Sequence, residues 1–150
     1  MQSVIKWITR EFAALSAEQL YQILQLRQQV FVVEQQCVYL DADGLDQEAV
    51  HVFATLEEQV VACCRLLPPG LKYGEAAIGR VCNAQAQRGT GLGRELMRKA
   101  LALCDERYPG QGVRISAQHH LQHFYSSVGF VAVSAPYDED GIPHIEMLRA

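Results

Sequence analysis

The run Arg88-Gly89-Thr90-Gly91-Leu92-Gly93 separates a β-branched stretch at 76–83 from an amphipathic stretch that begins near Gly91. Glycine permits a positive φ and leaves room for a ligand beside the backbone. The start of the following helix offers unpaired N–H groups and the positive end of the helix dipole. Because the guanidinium of Arg88 matches phosphate geometry, the run predicts a cradle for a phosphorylated ligand. The alternative is a turn that only starts a helix.

Two common nucleotide-binding motifs do not fit this run. A dinucleotide fold requires G-x-G-x-x-G, whereas Gly93 follows Gly91 after a single residue. A P-loop requires a Gly-Lys pair, and the sequence contains none. The predicted ligand therefore belongs to another phosphorylated class.

Hydrophobic periodicity outward from this run predicts a mixed α+β fold, with a central sheet flanked by helices in the order β-α-β-β-β-α-β-α-β-β. Ser16 and Gln19 form a capping-box pattern at the start of the first helix. We expect strands near 4–8, 50–56, 60–67, 76–83, 112–117, 130–134 and 145–148, and helices near 16–33, 91–107 and 121–128. A chain of 150 residues without repeats or linkers fits one domain, 1–150.

Composition restricts the partners and the compartment. A net charge of −4 argues against an electrostatic nucleic-acid binder. The sequence has no long apolar run and no secretory leader pattern, so we expect neither a membrane partner nor export. Five cysteines without C-x-x-C spacing favour reduced thiols in the cytoplasm. The sequence leaves a homodimer open.

The glycine run also resembles a motif of a known family. R-x-x-G-x-G after a strand is the acetyl-CoA pyrophosphate motif of the GCN5-related N-acetyltransferases, and Arg88, Gly91 and Gly93 match it. The separation and order of this motif and a second block are specific for that superfamily. They do not specify the substrate.

The second block is Gln118–Phe130, QHHLQHFYSSVGF. It resembles the closing segment N-x-x-A-x-x-[LF]-Y-x-x-x-G-F of the same family, with Tyr125, Gly129 and Phe130 at matching positions. Gln118 stands where the family usually has Asn, and its amide can still bond a pantetheine arm. A narrower resemblance, to the ElaA-like branch, rests on 26–37 (LRQQVFVVEQQC) and on Gly141-Ile-Pro-His144.

The resemblance implies the acyl-CoA N-acyltransferase fold and direct transfer from acetyl-CoA to a primary amine of a small molecule or peptide, without a metal. The strand before the glycine turn is expected to splay from its neighbour and to bind the pantetheine arm through its backbone. The CoA-binding residues that the resemblance implies are Val81, Cys82, Asn83, Arg88, Gly89, Thr90, Gly91, Leu92, Gly93, Gln118 and Tyr125. We expect Cys82 to contribute its backbone rather than a nucleophilic thiol.

The catalytic candidates are Tyr125, Glu34 and His144. By resemblance, Tyr125 lies beside the CoA sulfur, and a phenol can protonate the departing thiolate. The base is open between Glu34, His144 and a bound water, while Glu75 is expected to be solvated. Glu34 follows Arg27 by seven residues, which puts both on one side of a helix as an ion pair or facing the acceptor cleft.

Three further groups have two interpretations each. His119 and His123 are spaced i, i+4, but no third ligand follows at a motif spacing, so we expect a solvated surface. Arg65 and Arg80 attract an acidic substrate group or pair with loop carboxylates, and we favour pairing. The acidic loop Asp41–Asp46 is solvated or selects a cationic acceptor.

The sequence leaves two alternatives to an acetyltransferase open. One is a CoA-binding sensor or interaction module without catalysis, and the other is an acyltransferase that uses a longer acyl-CoA. An intact glycine turn together with Tyr125 favours the enzyme.

Overall fold

The computed structural model describes residues 4–150, so the first three residues of the predicted domain 1–150 lie outside it. The strands are β1 (Lys6–Glu11), β2 (Val50–Leu56), β3 (Gln59–Leu67), β4 (Ala76–Asn83), β5 (Val113–Gln118), β6 (Val131–Ala132), β7 (Tyr137–Glu139) and β8 (Ile142–Arg149). The helices are α1 (Ala17–Arg27), which continues as the π-helix Gln28–Glu34, α2 (Leu92–Arg107) and α3 (Gln122–Ser126). The predicted order is confirmed, with β7 as an additional short strand.

These strands form one mixed sheet in the order β1-β2-β3-β4-β5-β8-β6, and β7 pairs with β8. β4 and β5 pair in parallel, whereas the other neighbours are antiparallel. Successive side chains of a strand point to opposite faces. Val52 therefore packs on the α2 side together with Leu96, while Phe53 packs on the α1 side together with Ile23. Helices cover both faces, which confirms the predicted α+β class. No helix among residues 4–150 combines the length and the apolarity needed to cross a membrane.

The first helix begins where its capping box predicts. The Ser16 hydroxyl accepts from the Gln19 N–H, and the Gln19 side chain accepts from the Ser16 N–H, both at 3.0 Å. The predicted helix over 16–33 is regular only as far as Arg27, after which the π-helix begins. Its hydrogen bonds span five residues, for example from the Gln35 N–H to the Val30 carbonyl. The wider turn rotates every residue beyond Arg27 away from the face that an α-helix predicts.

Candidate active site

Strands β4 and β5 lie side by side only where they begin. Their pairing joins Ala76 with Val113 and Ala77 with Arg114, and no later pair between them occurs in the described part of the chain. Backbone groups of β4 beyond Ala77 therefore face an opening instead of a neighbouring strand. This confirms the expectation that the strand before the glycine turn splays from the next one.

A bulge in β4 accounts for the separation. Cys63 of β3 faces Cys82, and Arg65 faces Gly79, so two residues of β4 oppose one residue of β3. One of the two is Arg80, whose φ of 52° lies in the left-handed region that a residue with a Cβ rarely adopts. A bulge bends the strand that carries it, and bulges are frequent beside active sites.

Two cavities meet in the gap between β4 and β5. The larger, about 760 Å³, extends along the end of β4 to the glycine turn and α3. The smaller, about 120 Å³, lies between the segment after the π-helix, β5 and the β7–β8 hairpin. The residues that line both cavities are Phe31, Gln35, Val81, Gln118, Leu121, Tyr125 and Ile142.

The glycine turn borders the larger cavity at the start of α2. Gly91 is the N-cap residue with φ 84°, and no side chain caps the first turn. The N–H groups of that turn are therefore available to an anion. Gly93 packs closely against Asn83, since a Cβ there would lie 3.0 Å from Nδ2 of Asn83 and would require that side chain to shift. The side-chain oxygen of Asn83 is buried and, among the described residues, has no hydrogen-bond partner.

Most of the predicted CoA-binding residues surround this larger cavity. Those that line it are Val81, Cys82, Asn83, Arg88, Gly89, Gly91, Gly93, Gln118 and Tyr125. Two do not line it. The Thr90 hydroxyl donates to the Gln87 carbonyl at 2.6 Å and stabilises the turn itself. Leu92 is buried in the core against the sheet, so only its backbone lies at the helix start.

Glu34 pairs with a residue other than the predicted one. Its carboxylate lies 2.8 Å from the Arg88 guanidinium, which also donates to the Asn83 carbonyl at 3.2 Å. Of the two interpretations of Glu34, the ion pair with Arg27 is wrong, because Arg27 pairs with Asp41 and Asp46 and the π-helix changes the direction of Glu34. Glu34 lines the larger cavity and not the smaller one.

Arg27 instead forms the centre of a buried ionic cluster. Its guanidinium lies 2.7 Å from Asp46 and 2.8 Å from Asp41. Arg65 pairs with the same Asp46 at 2.9 Å and also with Asp43. Burial raises the pKa of Asp46, but hydrogen bonds and charges from Arg27 and Arg65 outweigh burial and lower it overall.

Arg80 completes this Arg–Asp cluster, which consists of Arg27, Arg65, Arg80, Asp41, Asp43 and Asp46. Its guanidinium lies 2.8 Å from Asp41 and 3.3 Å from Asp43. The expected pairing of Arg65 and Arg80 with loop carboxylates is confirmed. The solvated interpretation of the acidic loop is wrong for Asp41 and Asp46, which are buried against these arginines, whereas Asp43 is exposed and also pairs with them. Three arginines and three aspartates leave the cluster with no net charge.

Tyr125 lies at the junction of the two cavities. Its ring meets Phe124 and Phe130 edge to face, with centroids 5.1 and 6.1 Å away. Burial raises the pKa of the Tyr125 phenol well above its usual value. The phenol is therefore protonated at neutral pH, and it can donate a proton but not accept one.

The Cys82 thiol is buried on the α1 side of β4. Its sulfur lies 3.6 Å from that of Cys63, its cross-strand partner. The hydrogen bond with Cys63 and burial both raise the pKa of Cys82 well above its usual value. A protonated buried thiol is a poor nucleophile, which leaves the backbone of Cys82 as its contribution to the cavity.

His144 lies on β8 in the wall of the smaller cavity. It is 8% exposed, and its Nδ1 lies 2.7 Å from the Ile142 carbonyl. Its Nε2 lies 3.3 Å from the carboxylate of Glu139, a residue of β7. Glu75, by contrast, forms a bidentate pair with Arg114 at 3.0 and 3.1 Å and lines neither cavity.

Sequence reasoning missed the hairpin that carries Glu139. β7 has three residues, which is too short for a periodic pattern to be recognised. The signal that was present is Asp140-Gly141, a turn pair that overlaps the run ending at His144. Among residues 4–150, no three His, Cys, Asp or Glu side chains are arranged to hold a metal ion.

A parallel strand pair that separates beside a glycine-rich helix start is the architecture of acyltransferases that use acyl-CoA. Comparison with known families agrees, since residues 13–149 match the acetyltransferase (GNAT) domain. The chain belongs to this family, and the protein is an acyltransferase.

Relatives narrow the assignment to the ElaA-like branch. A UPF0039 protein of Synechocystis sp. is 45% identical over 145 residues, covering 96% of this chain and 94% of that protein. The crystal structure of Escherichia coli ElaA has a TM-score of 0.93 at 42% identity, covering 98% of this chain and 100% of that one. An acyl-CoA N-acyltransferase from Pseudomonas aeruginosa has a TM-score of 0.93 at 44% identity, with the same coverage. The predicted ElaA-like resemblance is confirmed.

Proposed function

We propose that the protein transfers an acetyl group directly from acetyl-CoA to a primary amine of a small molecule or peptide. The observation that carries the proposal is Tyr125, whose side chain borders both cavities where β4 and β5 separate. A thioester in the larger cavity and an amine in the smaller one meet beside this phenol. The Pseudomonas aeruginosa relative is an acyl-CoA N-acyltransferase, which supports the same reaction class.

The larger cavity suits CoA chemically. The uncapped start of α2 and the Arg88 guanidinium provide donors for the pyrophosphate. The free edge of β4 provides backbone groups for the amides of the pantetheine arm. The buried oxygen of Asn83, which has no partner among residues 4–150, is an acceptor that a bound N–H or O–H group would satisfy.

In the proposed reaction the amine nitrogen attacks the thioester carbonyl carbon, a C–N bond forms and the C–S bond breaks. Backbone N–H groups near Val81 polarise the carbonyl oxygen as negative charge develops there. Tyr125 donates its proton to the departing sulfur. Burial raises the phenol pKa, which opposes this transfer, and desolvation also raises the basicity of a thiolate released beside it, so the two effects offset each other.

We assign different roles to the two candidate bases. His144 lies in the smaller cavity and takes the proton that the amine loses. Glu34 lies in the larger cavity and pairs with Arg88, so we propose that it occupies the guanidinium until CoA binds and is not the base. We further propose a cytoplasmic location, which the free cysteines support, and, as the family resemblance implies, a single domain that works without a metal.

Replacing Tyr125 with Phe tests the proposal. We expect Tyr125→Phe to lower kcat about 100-fold, the lower range for a lost general acid. The dissociation constant of CoA should change less than about threefold, because the ring is retained. The measurement is thiol release from acetyl-CoA across a panel of primary amines. Tyr21→Phe is the matched control, since Tyr21 is exposed on α1.

Three outcomes separate the alternatives. Unchanged turnover in Tyr125→Phe contradicts the role of the phenol. Thermal stabilisation by CoA without turnover of any amine supports a CoA-binding sensor. Faster turnover with succinyl-CoA or a long-chain acyl-CoA than with acetyl-CoA supports an acyltransferase for longer groups.

A further inference from the structure

The wall of the smaller cavity contains a histidine and a carboxylate that face each other. Tyr137 and His144 are register partners in the β7–β8 hairpin, and Glu139 is the last residue of β7. We infer that Glu139 and His144 Nε2 together bind the ammonium group of the acceptor, and that the site selects an alkylamine or diamine without a neighbouring carboxylate. This inference rests on the proposed function, and it adds Glu139 as a specificity-determining residue.

The tautomer of His144 follows from its backbone contact. A carbonyl oxygen only accepts hydrogen bonds, so the proton of the neutral ring lies on Nδ1, 2.7 Å from the Ile142 carbonyl. Nε2 then carries a lone pair. With the proton on Nδ1, Nε2 and the Glu139 carboxylate are two acceptors 3.3 Å apart, whereas an imidazolium would itself donate from Nε2 to Glu139. An ammonium group supplies the missing donors to both.

The ring is held in this orientation by its backbone contact and by Tyr137. Tyr137 stacks on His144 with centroids 6.3 Å apart and planes 28° apart. The Tyr137 hydroxyl forms a short hydrogen bond with the Ser116 hydroxyl of β5. On the other side of β8, Gln118 is the register partner of His144. A site preorganised in this way binds without first reorienting the imidazole.

The charges around the cavity define the class of acceptor. Arg80 lines the cavity, but the Arg–Asp cluster already neutralises it. Glu139 and Asp140 remain as the carboxylates of the hairpin wall. Lys72 interacts electrostatically with Glu139, although no direct ion pair joins the two described side chains. A substrate carboxylate would face these acids without an unpaired arginine among the described residues of the wall, so a free amino acid is disfavoured relative to an amine.

The test measures binding without turnover. The enzyme is saturated with CoA and titrated by NMR with 1,4-diaminobutane, butylamine and 4-aminobutyrate, which share one chain length and differ in charge. We expect the diamine to bind most tightly and 4-aminobutyrate to bind about tenfold more weakly or worse. Glu139→Gln should raise the dissociation constant of the diamine about tenfold and leave that of CoA unchanged. Glu106→Gln, an exposed site on α2, is the matched control.

The outcomes test the amine site at Glu139 and His144 separately from the proposed acetyl transfer. The inference is overturned if Glu139→Gln binds the diamine as wild type does, if 4-aminobutyrate binds equally well, or if none of the three probes binds. Diamine binding that depends on Glu139, without acetylation of the bound diamine, contradicts the proposed function and leaves the site intact. Acetylation that is insensitive to Glu139→Gln contradicts the site and leaves the function intact.

Discussion

Asp46 is a buried carboxylate shared by two buried arginines, Arg27 of α1 and Arg65 of β3. It is 6% exposed, and both guanidinium groups are almost completely buried. A charge in such a position is tolerable only while its partners are present. Asp46 therefore joins α1, the acidic loop and the sheet, close to the π-helix that forms one wall of the site.

We expect Asp46→Asn to lower the free energy of unfolding by about 3 kcal/mol, because two buried guanidinium groups lose their shared counter-charge. The measurement is urea denaturation at pH 7. Asp105→Asn is the control, since Asp105 pairs with Arg149 at an exposed position. This substitution should lower the free energy of unfolding by less than about 1 kcal/mol. Equal effects of the two variants would contradict the importance of the buried cluster.

The pH dependence of stability follows from the lowered pKa of Asp46. An ordinary aspartate in the unfolded chain has a pKa of about 3.9, so the stabilisation is complete above about pH 4. It is lost as the pH falls below that value toward the lower folded pKa. Denaturation between pH 5 and about pH 3 should therefore show a smaller decrease for Asp46→Asn than for wild type. A parallel decrease would show that other groups cause the acid sensitivity.

Substitutions at Glu34 and at Arg88 should change the affinity for CoA in opposite directions. Glu34→Gln removes a carboxylate from the wall of the larger cavity and frees Arg88, so we expect CoA to bind about threefold to fivefold more tightly. Arg88→Gln should weaken the binding of CoA about tenfold. Calorimetry with CoA measures both. A loss of kcat in Glu34→Gln at unchanged CoA affinity would instead make Glu34 the base.

At the scale of elements, the N-terminus of α2 depends on the backbone conformation of one residue. Gly91 has φ 84° directly before the first helical residue, and an added Cβ there would meet no other atom. The requirement for glycine is therefore conformational and not spatial.

We expect Gly91→Ala to lower the free energy of unfolding by about 1 kcal/mol and to weaken CoA binding, because the turn must change φ to relieve strain. Gly74→Ala is the matched control, since Gly74 also has open space around it but does not have a positive φ. Urea denaturation and CoA titration measure the two effects. Equal free energies of unfolding for the two variants would contradict a conformational requirement for glycine at position 91.

Local patterns predicted the elements whose cause is local. The capping box at Ser16 and the bounds of β2 and β4 were predicted correctly because caps and β-branched stretches act within a few residues. The π-helix was not predictable, since helical periodicity does not distinguish it from an α-helix. Glu34 therefore pairs with Arg88 and not with Arg27, whose guanidinium the aspartates of the loop already occupy.

At the scale of the whole molecule, the site is produced by the separation of β4 from β5. Neither the depth of the separation nor the second cavity has a signal in the sequence, because both depend on a bulge opposite β3 and on packing between distant segments. The motif resemblance predicted the positions of the glycine turn and of Tyr125 in the site. Charge patterning failed at the acidic loop, where aspartates that look solvated are buried against arginines.

In the proposed mechanism, a thioester in the larger cavity meets an amine in the smaller one beside Tyr125. The most direct measurement is a crystal structure of the protein with CoA bound. We expect the pyrophosphate at the N-terminus of α2, the pantetheine arm along the free edge of β4 and the sulfur within hydrogen-bond reach of the Tyr125 hydroxyl. CoA bound with its sulfur away from Tyr125, or outside the gap between β4 and β5, would contradict the proposed mechanism.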